Sequence, residues 1–327
     1  MKILRRSLAR LDRWQRRARL VGPAFAVQKK FNDDQLGQYV VALGWYGFVS
    51  VYPLLLVVTT ILGFIGVASL GNTIVSTLHE FPVVGSNFNP AHASSSLHGS
   101  VIGLVVGLLG LLYGAQGVMQ SAQHAMAQAW NVPRSDRPGF VPRLGRSLLG
   151  LCIIGGTFVL NAAVAAVATA HGEPWALRIL VIAGLLVANT GLFFASFRTL
   201  TPRSVATRAL WPGAVVGSVG FTFLITLGSG LIEHQVRHSS ATYGQFGVVI
   251  GLVGFLFLLA KISLYGAELN PVLDRRLFPR SLVSDDPTSA DDRVLQYLAE
   301  ANHPRREAVA VSAPGEGSVS AFPDPAD

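Results

Sequence analysis

Six stretches of this chain stay apolar for long enough to cross a bilayer, and that constrains the fold more than any motif does. A helix needs about 20 apolar residues to cover a hydrocarbon core roughly 30 Å thick. The stretches are Val40–Gly66, Val101–Gln120, Leu148–Ala170, Ile179–Phe197, Trp211–Ile232 and Gln245–Ala267. Backbone groups inside lipid must be satisfied within their own segment, so each stretch is expected to be a helix. Composition agrees. Charged residues make up 13% of the chain, against about 25% in soluble domains, and mean hydropathy is +0.46. The first span follows a long basic segment with no convincing cleavage site, which predicts an uncleaved anchor rather than a signal peptide.

Lysine and arginine set the orientation. Residues 1–39 hold ten of them, and the loop Val67–Ser100 holds none. The loop Ser121–Ser147 has four, His171–Leu177 none, Arg198–Leu210 three and Glu233–Gly244 one, and Arg275, Arg276 and Arg280 follow the last span. Basic and non-basic segments alternate throughout. The expected fold class is therefore all-α: a polytopic membrane protein with six transmembrane helices in one bundle and both termini cytoplasmic. This alternation accounts for the net charge of +8 without a nucleic-acid partner.

Three regions follow: a basic arm over 1–39, a membrane domain over 40–280 and a tail over 281–327. The arm opens "MKILRRSLARLDRWQRRARL", with Leu4, Leu8, Leu11 and Gln15 on one helical face and arginines around it. Such a helix lies on an anionic inner leaflet, or the arm is a plain topology signal. The arm lacks the interleaved aromatics that stack nucleic-acid bases. The tail is rich in Asp, Ser, Pro and Ala and is expected to be largely disordered, apart from one short helix over Asp291–Ala301 with Val294, Leu295 and Leu298 on one side.

Glycines mark the packing. Gly103, Gly107, Gly110, Gly114 and Gly117 form a stripe in the second span, Gly213 and Gly217 a step in the fifth, and Gly247, Gly251 and Gly254 another in the sixth. Small residues at steps of three and four let helix backbones approach closely. Pro53 lies mid-span and is expected to kink the first span. Tyr46 and Ser50 share its face, a candidate polar lining. Asn161, Asn189, Thr190, Thr222 and Thr226 are isolated polar residues, each able to bond a neighbouring helix for about 0.6 kcal/mol.

The sixth span holds the unusual charges. Lys261 and Glu268 lie seven residues apart, about 10.5 Å along a helix axis, with Tyr265 between them on nearly the same face. Intramembrane ionisable residues usually face a bundle interior or a wet cavity. One reading is thus a polar strip in which Glu268, Lys261 and Tyr265 contact a substrate or ion. The other has Lys261 snorkelling to the inner interface and Glu268 lying there beside Arg275.

Catalytic patterns are missing from the sequence. There is no HExxH, Walker A, GxSxG or dinucleotide fingerprint. His234 and His238 in "EHQVRH" are spaced i,i+4 but have no third metal ligand nearby in sequence. Cys152, the single cysteine, falls in an apolar span and makes a poor nucleophile. The chain is read as a non-enzyme with no cofactor and no metal.

Three segments resemble the YihY/BrkB family of bacterial inner-membrane proteins: "GWYGFVSVYPLLLVVTTILGFIG", "YGAQGVMQSAQHAMAQAWNVPRSDRP" and "YGQFGVVIGLVGFLFLLAKISLYGAELN". The similarity covers roughly residues 30–275. Glu268 fits the family pattern, and Lys261 departs from it where an uncharged residue is expected. The resemblance implies six spans, cytoplasmic termini and the bacterial plasma membrane. It brings a historical ribonuclease BN label that the residues here do not support, an association with virulence and serum resistance, and a transport role. A transporter or lipid-handling protein for an unknown solute or lipid is the leading expectation, with Glu268 as the contact and Pro53 as the gate. The rival is a non-transporting envelope scaffold acting through the loop 67–100 and the basic arm. A homo-oligomer is compatible with either, and no clear internal repeat is visible.

Overall fold

A computed structural model describes residues 22–65, 101–133, 145–147, 149–150, 152–153, 155–156, 175–202, 205–225, 245–281 and 287–302. Its elements are α1 (Gly22–Asp33), α2 (Leu36–Ile65), α3 (Val101–Ala129), α4 (Trp175–Leu200), α5 (Thr207–Ile225, opening with the 3-10 turn Thr207–Leu210), α6 (Gln245–Asp274) and α7 (Ser289–Asn302). Among the described residues there is no strand. Four helical segments among the described residues are long and apolar enough to cross a membrane: Val101–Ala129, Ile179–Leu200, Thr207–Ile225 and Val249–Asp274. The described parts of the stretch Leu148–Ala170 are helical.

Glycine lets α2 and α3 pair closely and antiparallel. Gly107 lies against Leu56 and Val57, Gly110 against Pro53, Gly114 against Ser50 and Gly117 against Tyr46. A Cβ at Gly114 would stand 2.2 Å from Ser50 Oγ. The face that carries Tyr46, Ser50 and Pro53 is therefore filled by the glycine stripe of α3. Pro53 lies inside α2 without interrupting it, and Ser50 donates its hydroxyl proton to the Tyr46 carbonyl at 2.7 Å.

The α5–α6 contact is closer still. A Cβ on Gly213 would fall 1.9 Å from the Gly266 carbonyl oxygen, and one on Gly217 would meet the Phe193 ring of α4. Asn270 of α6 accepts the Gly213 N–H at 2.7 Å. Between α4 and α5, the hydroxyls of Thr190 and Ser218 bond at 2.7 Å, and Asn189 donates to Thr222 at 3.4 Å. Asn161 and Thr226 lie outside the described residues. Gly103 and Gly251 are half-buried, Gly254 is exposed with nothing near its missing Cβ, and the packing at Gly247 lies outside the described residues.

Among the described residues, burial is concentrated at one end of the bundle. Met119, Met126 and Trp130 of α3 and its exit, Phe197 and Leu200 of α4, Leu210 and Ala214 of α5 and Ala267 of α6 form one cluster. Phe31, Leu36, Ala125, Ala129 and Leu264 form a second. The start of α2, the ends of α3, α4 and α6 and the start of α5 therefore meet. Towards the other end, Val101, Ile102, Leu109, Ile179, Leu180 and Ile250 are exposed apolar side chains, as lipid-facing residues are. Cys152, expected inside an apolar span, is exposed on the helical surface.

Two helices at the buried end stop with the same device. Asn131 and Arg276 adopt positive φ (48° and 52°). Behind them Val132 N–H reaches the Ala127 carbonyl and Leu277 N–H the Val272 carbonyl, both at 2.9 Å. These pairs are Schellman closures, which satisfy carbonyls that a helix end leaves open.

Gly213→Ala should force α5 away from α6, since the obstacle is backbone. We expect a loss of about 1–3 kcal/mol, read as a lower thermal midpoint in detergent, whereas Gly254→Ala should leave the midpoint unchanged.

Candidate functional site

The buried end encloses a charge centre. Lys30, in the last turn of α1, is completely buried, as are Asp34 and Glu268. The Lys30 ammonium contacts Asp34 Oδ2, donates to the Ala129 carbonyl at 2.7 Å and stands 2.8 Å from Glu268 Oε1. Asn131 donates through Nδ2 to Asp34 Oδ1 at 2.9 Å. One cation thus joins α1, the C-terminus of α3 and α6, and it sits where the α3 dipole favours positive charge.

Local sequence explains half of this. In "KKFNDD" the pairs Lys29/Asp33 and Lys30/Asp34 are spaced i,i+4, neighbours on a helix face. Pro23 suits the first turn of α1, and α1 stops where Gln35 takes φ 54°. Asn tolerates positive φ, so the residue that closes α3 also presents its amide to Asp34. The meeting of Lys30 with Glu268 has no local signal.

The structure separates the residues singled out in the sixth span. Glu268 pairs with Lys30, not with Lys261. Lys261 is exposed, its ammonium 5.9 Å from the centre of the Tyr265 ring. Tyr265 stacks on Phe31 with ring centres 4.4 Å apart and donates its hydroxyl proton to Gln28. It therefore braces α1 against α6 beside the charge centre. Tyr46 and Ser50 belong to the α2–α3 contact. His234 and His238 lie outside the described residues. Lys30, Asp34 and Asn131 were missed because they sit in a segment that reads as a topology signal and in a loop exit.

Comparison with known proteins bears on the whole of this arrangement. The family model described as "Virulence factor BrkB" matches residues 27–290, from α1 into α7. The chain belongs to the BrkB family. It is also similar to a protein of Bacillus subtilis (strain 168) described as "Putative ribonuclease-like protein YfkH", 29% identical over 86 residues. That match covers 26% of this chain and 31% of the relative. No solved structure matches. With its apolar helices, this BrkB-family chain is an integral, multi-pass membrane protein.

A strap that runs past the end of the family match closes over α1. Arg280 donates through Nε to Asp291 Oδ1 at 2.9 Å and through a terminal nitrogen to Asp33 at 2.7 Å. Lys29 bonds Asp291 at 2.8 Å and the Ser281 carbonyl at 2.7 Å. Thr288 and Asp291 form a reciprocal cap at the start of α7, with Thr288 N–H donating to Asp291 Oδ2 at 3.0 Å. Arg275 lies between the rings of Trp130 and Tyr297, 5.5 and 4.3 Å from their centres. Val294 is fully buried, whereas Leu295 is exposed, so α7 presents Val294 to the bundle and turns Leu295 away. The rest of the tail, 303–327, lies outside the described residues, as does residues 1–21 of the basic arm.

Burial works to raise the Asp291 carboxyl, and bonds from Lys29, from the Ser281 and Thr288 N–H groups and from the Thr288 hydroxyl outweigh it. Together they hold Asp291 below the usual carboxylate range. A depressed folded-state value stabilises the docked strap above the unfolded value and is lost as pH falls through the folded one. Amide hydrogen exchange should therefore find α7 protected at neutral pH, with protection declining below about pH 4. Asp291→Asn should lose protection already at neutral pH.

Proposed function

We propose that this BrkB-family chain is a six-span protein of the bacterial plasma membrane, with both termini cytoplasmic, that transports or otherwise handles a solute or lipid. The observation that carries the reading is the completely buried Lys30–Asp34–Glu268 centre in a multi-pass membrane protein. Ionisable residues are costly in such surroundings and typically mark ion or substrate pathways. The orientation is supported by position as well as count. Lys29, Arg198, Arg208, Arg275, Arg276, Arg280 and Arg293 belong to the ends and segments gathered at one end of the bundle, the end assigned to the cytoplasm. Residues 1–21 would add contact with anionic lipid. We assign no catalytic step, no cofactor and no nucleic-acid partner, and leave the ribonuclease-like description with the relative that carries it.

Gently purified protein should retain one lipid or solute strongly enriched over an unrelated six-span control, by mass spectrometry, and Glu268→Gln should lose it at normal protein levels. Bulk membrane lipid alone would move the reading to an envelope scaffold. For orientation, single cysteines in a Cys152→Ser background should respond differently to an impermeant maleimide on spheroplasts. Ser95→Cys should label, whereas Ser7→Cys and Ser312→Cys should label only after lysis.

A further inference from the structure

The charge centre is unbalanced. It brings two carboxyl groups, Asp34 and Glu268, to one ammonium, Lys30, and all three are sealed from solvent. Asp34 is well supplied, with Lys30 on one oxygen and the Asn131 amide on the other. Glu268 is not. Its Oε1 lies 2.8 Å from the Lys30 nitrogen, outside hydrogen-bond geometry, and its Oε2 has no partner. The Asn131 Oδ1 at the far end of the chain of contacts is likewise buried without a donor. A buried charge in excess of its counter-charge costs several kcal/mol. With both carboxyl groups ionised, the centre therefore carries one negative charge more than positive, at Glu268.

The groups facing Glu268 restrict what can balance that charge. Lys30 from α1 and Asp34 from the α1–α2 turn are the charges that act on it. From its own helix, Tyr265 is engaged with Phe31 and Gln28, Asn270 accepts the Gly213 N–H, and Lys261 is exposed. From α3 come Asn131 and the Ala129 carbonyl, the latter already bonded to Lys30. Arg275 is held by the Trp130 carbonyl through one terminal nitrogen and by the Trp130 and Tyr297 rings, and its other terminal nitrogen is buried without a hydrogen-bond partner. The second packed cluster, which includes Leu36, Ala129 and Leu264, closes this region with apolar side chains. A metal cation bound by oxygen takes about six ligands, far more than the open oxygens here, and it would sit beside an ammonium. A proton needs one oxygen and no added volume.

We propose that Glu268 is a proton-binding site, taking up one proton per chain at its open carboxylate oxygen while Asp34 remains the ion-pair partner of Lys30. The step is a single transfer: hydronium gives its proton to Oε2, an O–H bond forms, and water is left. The ammonium and one carboxylate then balance, and the new O–H supplies a donor among buried oxygens, Glu268 Oε1 and Oε2 and Asn131 Oδ1, that have none. In this reading the proton is the coupling ion of the transport proposed above. That use of the proton rests on the transport reading, whereas the site itself does not.

The site can be tested without any flux. Infrared spectra of the full chain in lipid nanodiscs, titrated over pH, should contain a protonated-carboxyl stretch at neutral pH that Glu268→Gln removes. Asp34→Asn keeps Glu268 but leaves one carboxylate for one ammonium, so it should also lose the band. Lys30→Met leaves two carboxylates and no ammonium, so the band should roughly double. Asp34→Asn and Lys30→Met move the band in opposite directions, a pattern that general misfolding does not give. Each variant is first checked for a monodisperse elution profile, and if Glu268→Gln fails, the Asp34→Asn spectrum decides. Wild type without a band above the Glu268→Gln baseline, or Asp34→Asn that keeps it in full, overturns the proposal. So does a band that sodium chloride abolishes and choline chloride at equal strength does not, since a metal ion would then hold the site. A proton site confirmed alongside absent retention of any solute would overturn the transport reading alone.

Discussion

The ammonium of Lys30 is the contact on which the rest of the buried end depends. It is enclosed by Asp34, Glu268 and the Ala129 carbonyl, and so ties together three segments far apart in sequence. Burying an ion costs several kcal/mol even after relaxation, and removing one partner from a buried pair costs about 3–5 kcal/mol. That asymmetry makes the arrangement specific. Each of the three segments must reach the same point, or a charge is left uncompensated. The Schellman closure at Asn131 belongs to the same constraint, because it ends α3 where its last carbonyl can meet the ammonium and its amide can meet Asp34.

Elsewhere the bundle is held by a different force. Lipid tails are as apolar as leucine, so helix association in a membrane relies on close packing and on bonds between helices. The α2–α3 and α5–α6 pairs show this directly, with glycines meeting side chains or opposing backbone. The outward surfaces stay apolar. Packing of this kind sets which helices pair, while the charge centre and the α7 strap fix how they end on one side. The strap is electrostatic as well, with Lys29, Asp33, Arg280 and Asp291 bridging α1 to α7.

This division bears on where function resides. Tyr46, Ser50 and Pro53 look like a polar lining when the first span is taken alone, yet they fill the glycine face of a neighbour. Lys261 looks like part of a polar strip with Tyr265 and Glu268, and it lies on the exposed surface. Among the buried polar atoms without a hydrogen-bond partner are both Glu268 carboxylate oxygens and the Asn131 Oδ1, at the junction of α1, α3 and α6. That junction falls wholly within the match to the BrkB family.

Sequence by itself determined the class of molecule. Long apolar runs, the shortage of charge and the glycine steps are local properties, and a bilayer accepts few solutions to them, so the all-helical membrane character was legible. The i,i+4 pairs in "KKFNDD" carry a local signal too, since helix geometry relates near neighbours, but the basic segment reads as a topology signal and hides it. The partner of Glu268 was not legible. Lys30 is distant along the chain, and only the closing of α1 against α6 and the end of α3 brings it there. Tertiary structure likewise decided that Tyr46 and Ser50 lie half-buried against the glycines of α3, and that α7 folds back onto α1 through Asp291. Helical periodicity says which residues share a face, but what that face meets depends on close approach between helices, and in lipid that is set by shape and by the need of each buried charge for its partner.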